Sequence, residues 1–153
     1  MTRHTTSLLR TLLPSVLAAI ACWPSAWAQS ELQPVPALTA RVTDQAGVLS
    51  AQQESELESV LTAFEARKGV QIAVLTVATV APEEIEQYSI RVVDAWKLGR
   101  QSVDDGALLL VAVEDRRVRI EVGRGLEGAL TDLVSNRLID ETIVPAFRTG
   151  DYP

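Results

Sequence analysis

Cysteine and histidine are almost absent from this chain. The only cysteine is Cys22 and the only histidine is His4, so residues 29–153 contain neither. That part of the chain therefore offers no thiolate nucleophile, no imidazole general base and no Cys/His zinc site. A domain without thiols also suits an oxidising compartment, where free cysteines pair or react.

The first 28 residues have the pattern of a secretory signal peptide. They begin with basic residues, continue through an apolar run over roughly residues 8–22, and end in the small-x-small sequence Ala26-Trp27-Ala28. The apolar run is shorter than the about 20 residues that span a membrane. We predict cleavage after Ala28 and export to the periplasm or to the periplasmic side of a membrane. An uncleaved anchor and lipoprotein modification at Cys22 are the alternatives.

Positive charge is scarce as well. The chain has 14 Lys and Arg residues, of which Arg3 and Arg10 lie in the leader, against 20 Asp and Glu residues, so the net charge without the leader is near −8. Proteins that bind nucleic acid need a basic surface against the phosphates, so we expect no nucleic-acid partner. An acidic surface is suited instead to attracting cations.

Two regions follow the leader. Residues 29–41 contain Pro34 and Pro36 among small side chains, and this composition predicts an extended linker. Residues 42–153 are numerous enough to form one domain with its own hydrophobic core.

Four segments of the domain have strand patterns. Val42-Thr43 is a short candidate, and residues 70–78 and 107–113 are nearly continuous apolar runs, typical of strands that are buried on both faces. Residues 118–122 alternate apolar with charged side chains. We expect that last strand to have one wet face or to lie at the sheet edge.

Three helices are predicted between and after these strands. Capping residues predict their ends, and helical spacing predicts their apolar faces. The first helix begins at Ser50 with Gln53 and ends at Gly69, and its apolar face carries Leu57, Val60, Leu61 and Phe64. The second begins at Pro82 and ends at Gly99, with Ile85, Ser89, Val92 and Trp96 on one face and Tyr88 beside them, and the third begins at Thr131, runs to about Glu141 and is closed by Pro145. The order β-α-β-α-β-β-α predicts a three-layer α/β/α sandwich with a central mixed sheet.

Acidic side chains stand at two places that this fold brings together. Asp104 and Asp105 precede the third strand, and Glu127 and Asp132 follow the fourth. The two strands form a hairpin, so these loops lie side by side. Clustered carboxylates are the ligands that calcium and magnesium prefer, and the four acids are candidate metal ligands. The equally weighted alternative is that they form turns and cap helices.

The loop after the fourth strand is rich in glycine. Gly123-x-Gly125-x-x-Gly128 matches the dinucleotide-binding fingerprint literally, but it follows a strand that we predict to be antiparallel, late in the chain. We favour a tight turn in which the backbone approaches a neighbouring loop. An anion held by loop amides with help from Arg124 is a further alternative.

Several of these motifs, in this order, resemble the TPM domain family. The resemblance rests on Val42-Thr43-Asp44-Gln45-Ala46-Gly47-Val48-Leu49-Ser50, Trp96-Lys97-Leu98-Gly99, Asp105-Gly106-Ala107-Leu108-Leu109-Leu110-Val111-Ala112, Asp115-Arg116, Val122-Gly123-Arg124-Gly125-Leu126-Glu127-Gly128, Leu130-Thr131-Asp132 and Pro145-Ala146-Phe147 with Gly150-Asp151-Tyr152. It covers residues 42–153, nearly all of the chain after the leader.

The resemblance implies an α/β/α fold in an exported or lumenal protein. Plant and cyanobacterial members are linked to photosystem II repair, and an animal relative is an accessory subunit of a receptor. Some members are described as acid phosphatases and others as calcium- or magnesium-binding modules. The resemblance adds Asp44 to the candidate metal ligands, provided that the first strand runs in the right direction. A last helix would follow Gly150-Asp151-Tyr152, so the pattern predicts a truncated domain and leaves room for a C-terminal membrane anchor.

Two function classes follow. The first is an exported accessory or interaction module of the cell envelope that binds calcium or magnesium and contacts an envelope or membrane protein. The second is a phosphatase that uses metal-bound water, which needs neither histidine nor cysteine. In that case Arg124 is the candidate phosphate partner. The only lysines are Lys68 and Lys97, and neither lies in the glycine loop. Few positive groups would then stabilise the charge of a transferring phosphoryl group, so we favour the module.

Overall fold

The computed structural model describes residues 31–149. The predicted signal peptide and the Gly150-Asp151-Tyr152 motif lie outside this range. The elements are β1 Val42–Asp44, α1 Ala51–Lys68, β2 Gln71–Val77, α2 Ile85–Trp96, β3 Gly106–Ala112, β4 Arg117–Val122, α3 Asp132–Leu138, a π-helical segment Ile139–Ile143 and α4 Val144–Arg148. No helix among the described residues is long and apolar enough to cross a membrane.

The four strands form one mixed sheet in the order β1-β2-β3-β4. β1, β2 and β3 run parallel, and β4 runs antiparallel to β3 at the edge. The predicted mixed sheet and the edge position of the alternating strand are therefore confirmed. Ala107 pairs with Val122, so the loop that enters β3 and the loop that leaves β4 lie at the same end of the sheet.

α2 covers one face of the two central strands. Its buried apolar side chains recur at helical spacing and join the side chains of β2 and β3 that point to this face: Ile85, Tyr88, Val92 and Trp96 pack with Ala73, Leu75, Val77, Leu108, Leu110 and Ala112. The predicted apolar face of the second helix and the core position of Trp96 are confirmed. Each large apolar side chain buried here stabilises the fold by roughly 1.5–3 kcal/mol.

The opposite face carries the C-terminal helical segment. Val111 and Val118, which are paired across β3 and β4, lie across a cleft from Val144 and Phe147. With α2 on the first face, this arrangement makes the domain an α/β sandwich with helices on both sides of the sheet, as the element order predicts.

α1 has the predicted ends. The Ser50 side chain accepts a hydrogen bond from the Gln53 amide (3.3 Å), and the Gln53 side chain accepts one from the Ser50 amide (2.9 Å), which completes a capping box. At the other end Gly69 takes a left-handed conformation with φ 73° and donates its amide hydrogen to the Glu65 carbonyl (2.7 Å).

The packing of α1 is looser than its apolar pattern predicts. The helix contacts β1 and β2, but none of its side chains is fully buried and Val60 is 62% exposed. The prediction that Val60 faces the core is therefore wrong. Leu57, Leu61 and Phe64 are half-buried, and Arg41 adds ion pairs to Glu58 and Glu65, both at 2.8 Å.

α2 begins three residues later than predicted, at Ile85 rather than at Pro82. Pro82 lies in a turn, preceded by a cis peptide bond, in which the Glu83 amide donates to the Val80 carbonyl (3.1 Å). The carboxylate of Asp115 fixes this turn from outside by accepting from the Val80 amide (2.8 Å) and from the preceding threonine hydroxyl. Since Asp115 is distant in sequence, local signals alone placed the helix start too early.

The third helix begins as predicted but does not end at Pro145. Thr131 caps α3, with its hydroxyl accepting from the Val134 amide (3.4 Å). The chain then continues through the π-helical turn into α4, where Pro145 stands in the first turn. Proline is tolerated in the first turn of a helix, where an amide hydrogen would have no partner within the helix.

Candidate functional site

The two loops at the Asp104 end of the sheet contact each other directly. We call residues 99–105 and 123–132 the acidic loop pair. Asp104 has a left-handed backbone (φ 58°), and its carbonyl accepts from the Gly125 amide (2.9 Å). Its carboxylate accepts from the Arg124 amide at 3.1 Å and lies 3.5 Å from Arg124 Nε. The hairpin therefore brings these loops together, as predicted from the sequence.

Two of the three loop glycines are needed for that contact. A Cβ atom on Gly123 would lie 2.3 Å from the Asp104 carbonyl oxygen, and one on Gly125 would lie 2.2 Å from the Val103 carbonyl oxygen. A Cβ on Gly128 would meet nothing within 4 Å. The first two glycines thus allow close backbone approach, which agrees with the tight-turn interpretation rather than with the nucleotide fingerprint.

Asp105 serves the fold of its own loop. Its buried carboxylate accepts from the Arg100 amide (2.8 Å) and from Arg100 Nε (2.7 Å). These hydrogen bonds, the side-chain one first, hold the pKa of Asp105 below its ordinary value. Asp105 precedes β3 as predicted, but its oxygens are directed to Arg100.

Asp44 lies elsewhere. β1 is parallel to β3, so Asp44 ends β1 at the register of Thr76, whereas Asp104 precedes the start of β3 at the other end of the sheet. The Asp44 carboxylate accepts from the Thr76 hydroxyl and from the amides of Gly47 (3.0 Å) and Leu49 (2.7 Å). Burial alone would raise the pKa of Asp44, but these hydrogen bonds outweigh it and the pKa is lowered.

Glu127 and Asp132 line a cleft between β4 and the start of α3. The third acid there, Glu121, is already engaged, since its carboxylate accepts from the Ser89 hydroxyl (2.8 Å) and from Arg119 Nε (2.9 Å). Across residues 31–149, no group of three or more Asp, Glu, His or Cys side chains is placed to hold a metal ion. The five predicted ligands are thus spread over several places, and metal binding by any of them stays a prediction.

Arg124 is the open positive group of the acidic loop pair. Its side chain is 89% exposed, and its nearest acid is Asp104, which is 45% exposed. The guanidinium is therefore available to an anionic group from solvent, while its backbone amide is used to fix the loop.

Comparison with known proteins identifies the family. A family model described as the TPM domain matches residues 42–153. The chain belongs to the TPM domain family.

Two solved structures resemble this TPM domain. The N-terminal domain of a protein from P. gingivalis, determined by solution NMR, is 36% identical with a TM-score of 0.69; the match covers 74% of this chain and 73% of that one. The N-terminal domain of the cg2496 protein from Corynebacterium glutamicum shares the fold with a TM-score of 0.58 at 15% identity, over 80% and 77% of the two chains. No curated protein matches significantly.

Some residues that shape this TPM domain are not marked by any local pattern in the sequence. Arg100 follows Gly99 in a loop with no periodic pattern, so nothing in the local sequence marks it as the partner of Asp105. The segment before β1 was expected to be a linker, yet Gln33 to Leu38 lie against α2 and their carbonyls accept from its side chains. The alternation of prolines with apolar residues there was the available signal.

Proposed function

We propose that this TPM domain is an exported binding module of the cell envelope with no catalytic activity of its own. The supporting observation is how the predicted ligands are used. The Asp44 carboxylate accepts hydrogen bonds from loop amides, and the Asp105 carboxylate accepts them from Arg100. The Asp104 carboxylate accepts one from the Arg124 amide. Side chains that brace loops build a rigid surface, which suits recognition of an envelope or membrane protein.

A calcium or magnesium ion is a secondary part of this proposal. The described residues do not form a preorganised cage, because strong calcium sites use six to eight oxygens from several carboxylates and carbonyls. Asp104, Glu127 and Asp132 keep exposed or cleft-lining carboxylates. Such an open arrangement suits weak binding, in the range of about 10⁻⁴–10⁻³ M found for extracellular modules.

Thermal unfolding in calcium and magnesium tests this part. At a cation concentration ten times the dissociation constant, binding to the folded state adds about 1.4 kcal/mol. That corresponds to a rise in melting temperature of several degrees for a domain of this size. We expect a rise of this order in about 10 mM calcium, and its loss in the double variant Glu127→Gln, Asp132→Asn.

The matched control is Asp94→Asn, since Asp94 is an exposed acid on α2 that is not part of the acidic loop pair. It should keep the full calcium response. An unchanged melting temperature of the parent chain in both cations would refute the cation site. An equal response in the double variant would place binding elsewhere.

Metal-dependent phosphatase activity is the second candidate. Its support is Arg124, whose exposed guanidinium beside Asp104 could neutralise a phosphate group. Since residues 29–153 contain neither histidine nor cysteine, this candidate relies on metal-activated water as the nucleophile. Phosphomonoester turnover that is lost in Arg124→Ala and in EDTA, but kept in Asp94→Asn, would favour this candidate over the module.

A further inference from the structure

The segment before β1 is held against α2 by three hydrogen bonds to its backbone. The Arg91 guanidinium donates to the Gln33 carbonyl (2.7 Å), the Tyr88 hydroxyl donates to the Pro34 carbonyl (3.0 Å) and the Trp96 indole N–H donates to the Pro36 carbonyl (2.7 Å). We call residues 33–38 the strap, and the surface formed by Tyr88, Arg91 and Trp96 the strap groove.

The strap is stiff by sequence. Pro34 and Pro36 fix their own φ near −65°, and each proline pushes the residue before it into an extended conformation. The segment therefore favours a polyproline-type conformation, whose carbonyls have no internal partners. All three groove donors form hydrogen bonds to such carbonyls. Aromatic side chains that donate to the backbone of a Pro-x-Pro segment are the recurring device of proline-rich peptide recognition.

The groove also contacts apolar side chains of the strap, and part of it is held in place by other residues. Val35 and Leu38 are half-buried against the α2 core, while Pro34 is exposed. The Arg91 guanidinium lies 5.3 Å from the centre of the Tyr88 ring and is held by Glu83, whose carboxylate accepts from Arg91 Nε (2.9 Å). Two of the three donors, Arg91 and Tyr88, are thus in contact with groups other than the strap.

We propose that the strap groove is a recognition site for proline-rich segments, and that the strap is its built-in ligand. The partner that it fits is an extended segment with two prolines separated by one apolar residue, presented by another protein. The tethered strap acts at a high effective concentration, so a segment in trans binds only when it outcompetes the strap or when the strap is released. This inference is independent of cation binding by the acidic loop pair.

A labelled peptide tests the proposal. The probe is a fluorescein-labelled peptide with the sequence of residues 31–39, and its anisotropy is followed in titrations of the full chain. The chain carrying Pro34→Gly and Pro36→Gly, whose strap is flexible, should bind the peptide at least about tenfold more tightly than the unsubstituted chain. A peptide in which alanine replaces both prolines should bind more weakly, because it loses its preorganisation.

Groove variants localise the binding. Tyr88→Phe, added to the flexible-strap chain, removes one donor and keeps the ring, and should weaken peptide binding about three- to tenfold. Asp94→Asn changes an exposed acid on the same helix that makes none of the hydrogen bonds to the strap, and it should leave the affinity unchanged. Equal binding by the flexible-strap and unsubstituted chains, or no effect of Tyr88→Phe, would overturn the proposal.

The unsubstituted strap provides a second measurement that does not depend on the double variant folding. Hydrogen exchange of the Trp96 indole proton reports opening of the strap, since that proton is bonded to the Pro36 carbonyl. Tyr88→Phe in the otherwise unchanged chain should accelerate this exchange by about threefold or more, and Asp94→Asn should not. Identical exchange in both variants would show that the groove donors do not act together on the strap.

Discussion

At the Asp104 end of the sheet, the buried carboxylate of Asp105 is held by the backbone amide and the guanidinium of Arg100. Asp105 was predictable as an acid at the entrance of a buried strand, because strand and turn signals are local. Its partner was not, since the contact depends on how the loop folds back to place Arg100 over the carboxylate. The same holds for Asp44, whose hydroxyl partner Thr76 is on a neighbouring strand.

Acid should weaken the fold in part through Asp105. A carboxyl with a lowered folded-state pKa contributes stability that is fully present above the unfolded value of about 3.9 and is lost as pH falls through the folded value. Asp105→Asn removes this contribution, so it should lower the melting temperature at pH 7 and the difference from the parent chain should shrink below about pH 4. Melting curves between pH 7 and 3 measure this.

The matched variant for that series is Asp94→Asn, which changes an exposed acid of no assigned contact. It should melt like the parent chain at every pH. Asp44 also has a lowered pKa, so the parent and Asp105→Asn should both retain some loss of stability in acid. If Asp105→Asn melts like the parent at pH 7, the ion pair with Arg100 adds nothing.

At the scale of elements, prediction succeeded where the signal is contained in the segment. The capping box at Ser50, the left-handed Gly69 and the Thr131 cap depend on residues within four positions of the helix end. It failed at Pro82, where the distant Asp115 fixes the turn, and at Pro145, where a π turn just before the proline lets the helical segment continue.

The glycine loop allows a test within one element. Gly125→Ala places a Cβ 2.2 Å from the Val103 carbonyl oxygen, so the loop must move and the fold should lose about 1–3 kcal/mol. Gly128→Ala meets no atom within 4 Å, and it should be neutral or stabilise by up to about 1 kcal/mol by restricting the unfolded chain. Chemical denaturation of the two variants checks both signs. Equal destabilisation would mean that the loop contact with Val103 is not maintained.

At the scale of the whole molecule, the sheet followed from the order of elements. Two buried strands joined by a helix favour a parallel pair, and a short charged turn favours an antiparallel neighbour, which is the arrangement of β2, β3 and β4. The position of residues 31–41 could not be predicted from the order of elements, because an extended proline segment has the same sequence pattern whether it is solvated or packed against the domain. The hydrogen-bond donors Tyr88, Arg91 and Trp96 on α2 hold this segment against the domain.

The leader and the strap lie close together in the sequence, so export determines where the chain before the strap begins. Cleavage after Ala28 would leave Gln29 as the new N-terminus, four residues before Gln33, the first strap residue bound by α2. Expressed in a Gram-negative host, the chain should therefore be recovered from the periplasm with Gln29 as its first residue, as N-terminal sequencing or intact mass would show. Ala28→Arg should block processing, because the peptidase needs a small residue before the cleaved bond, whereas Asp94→Asn should be processed normally. Recovery of unprocessed parent chain in the cytosol would contradict export.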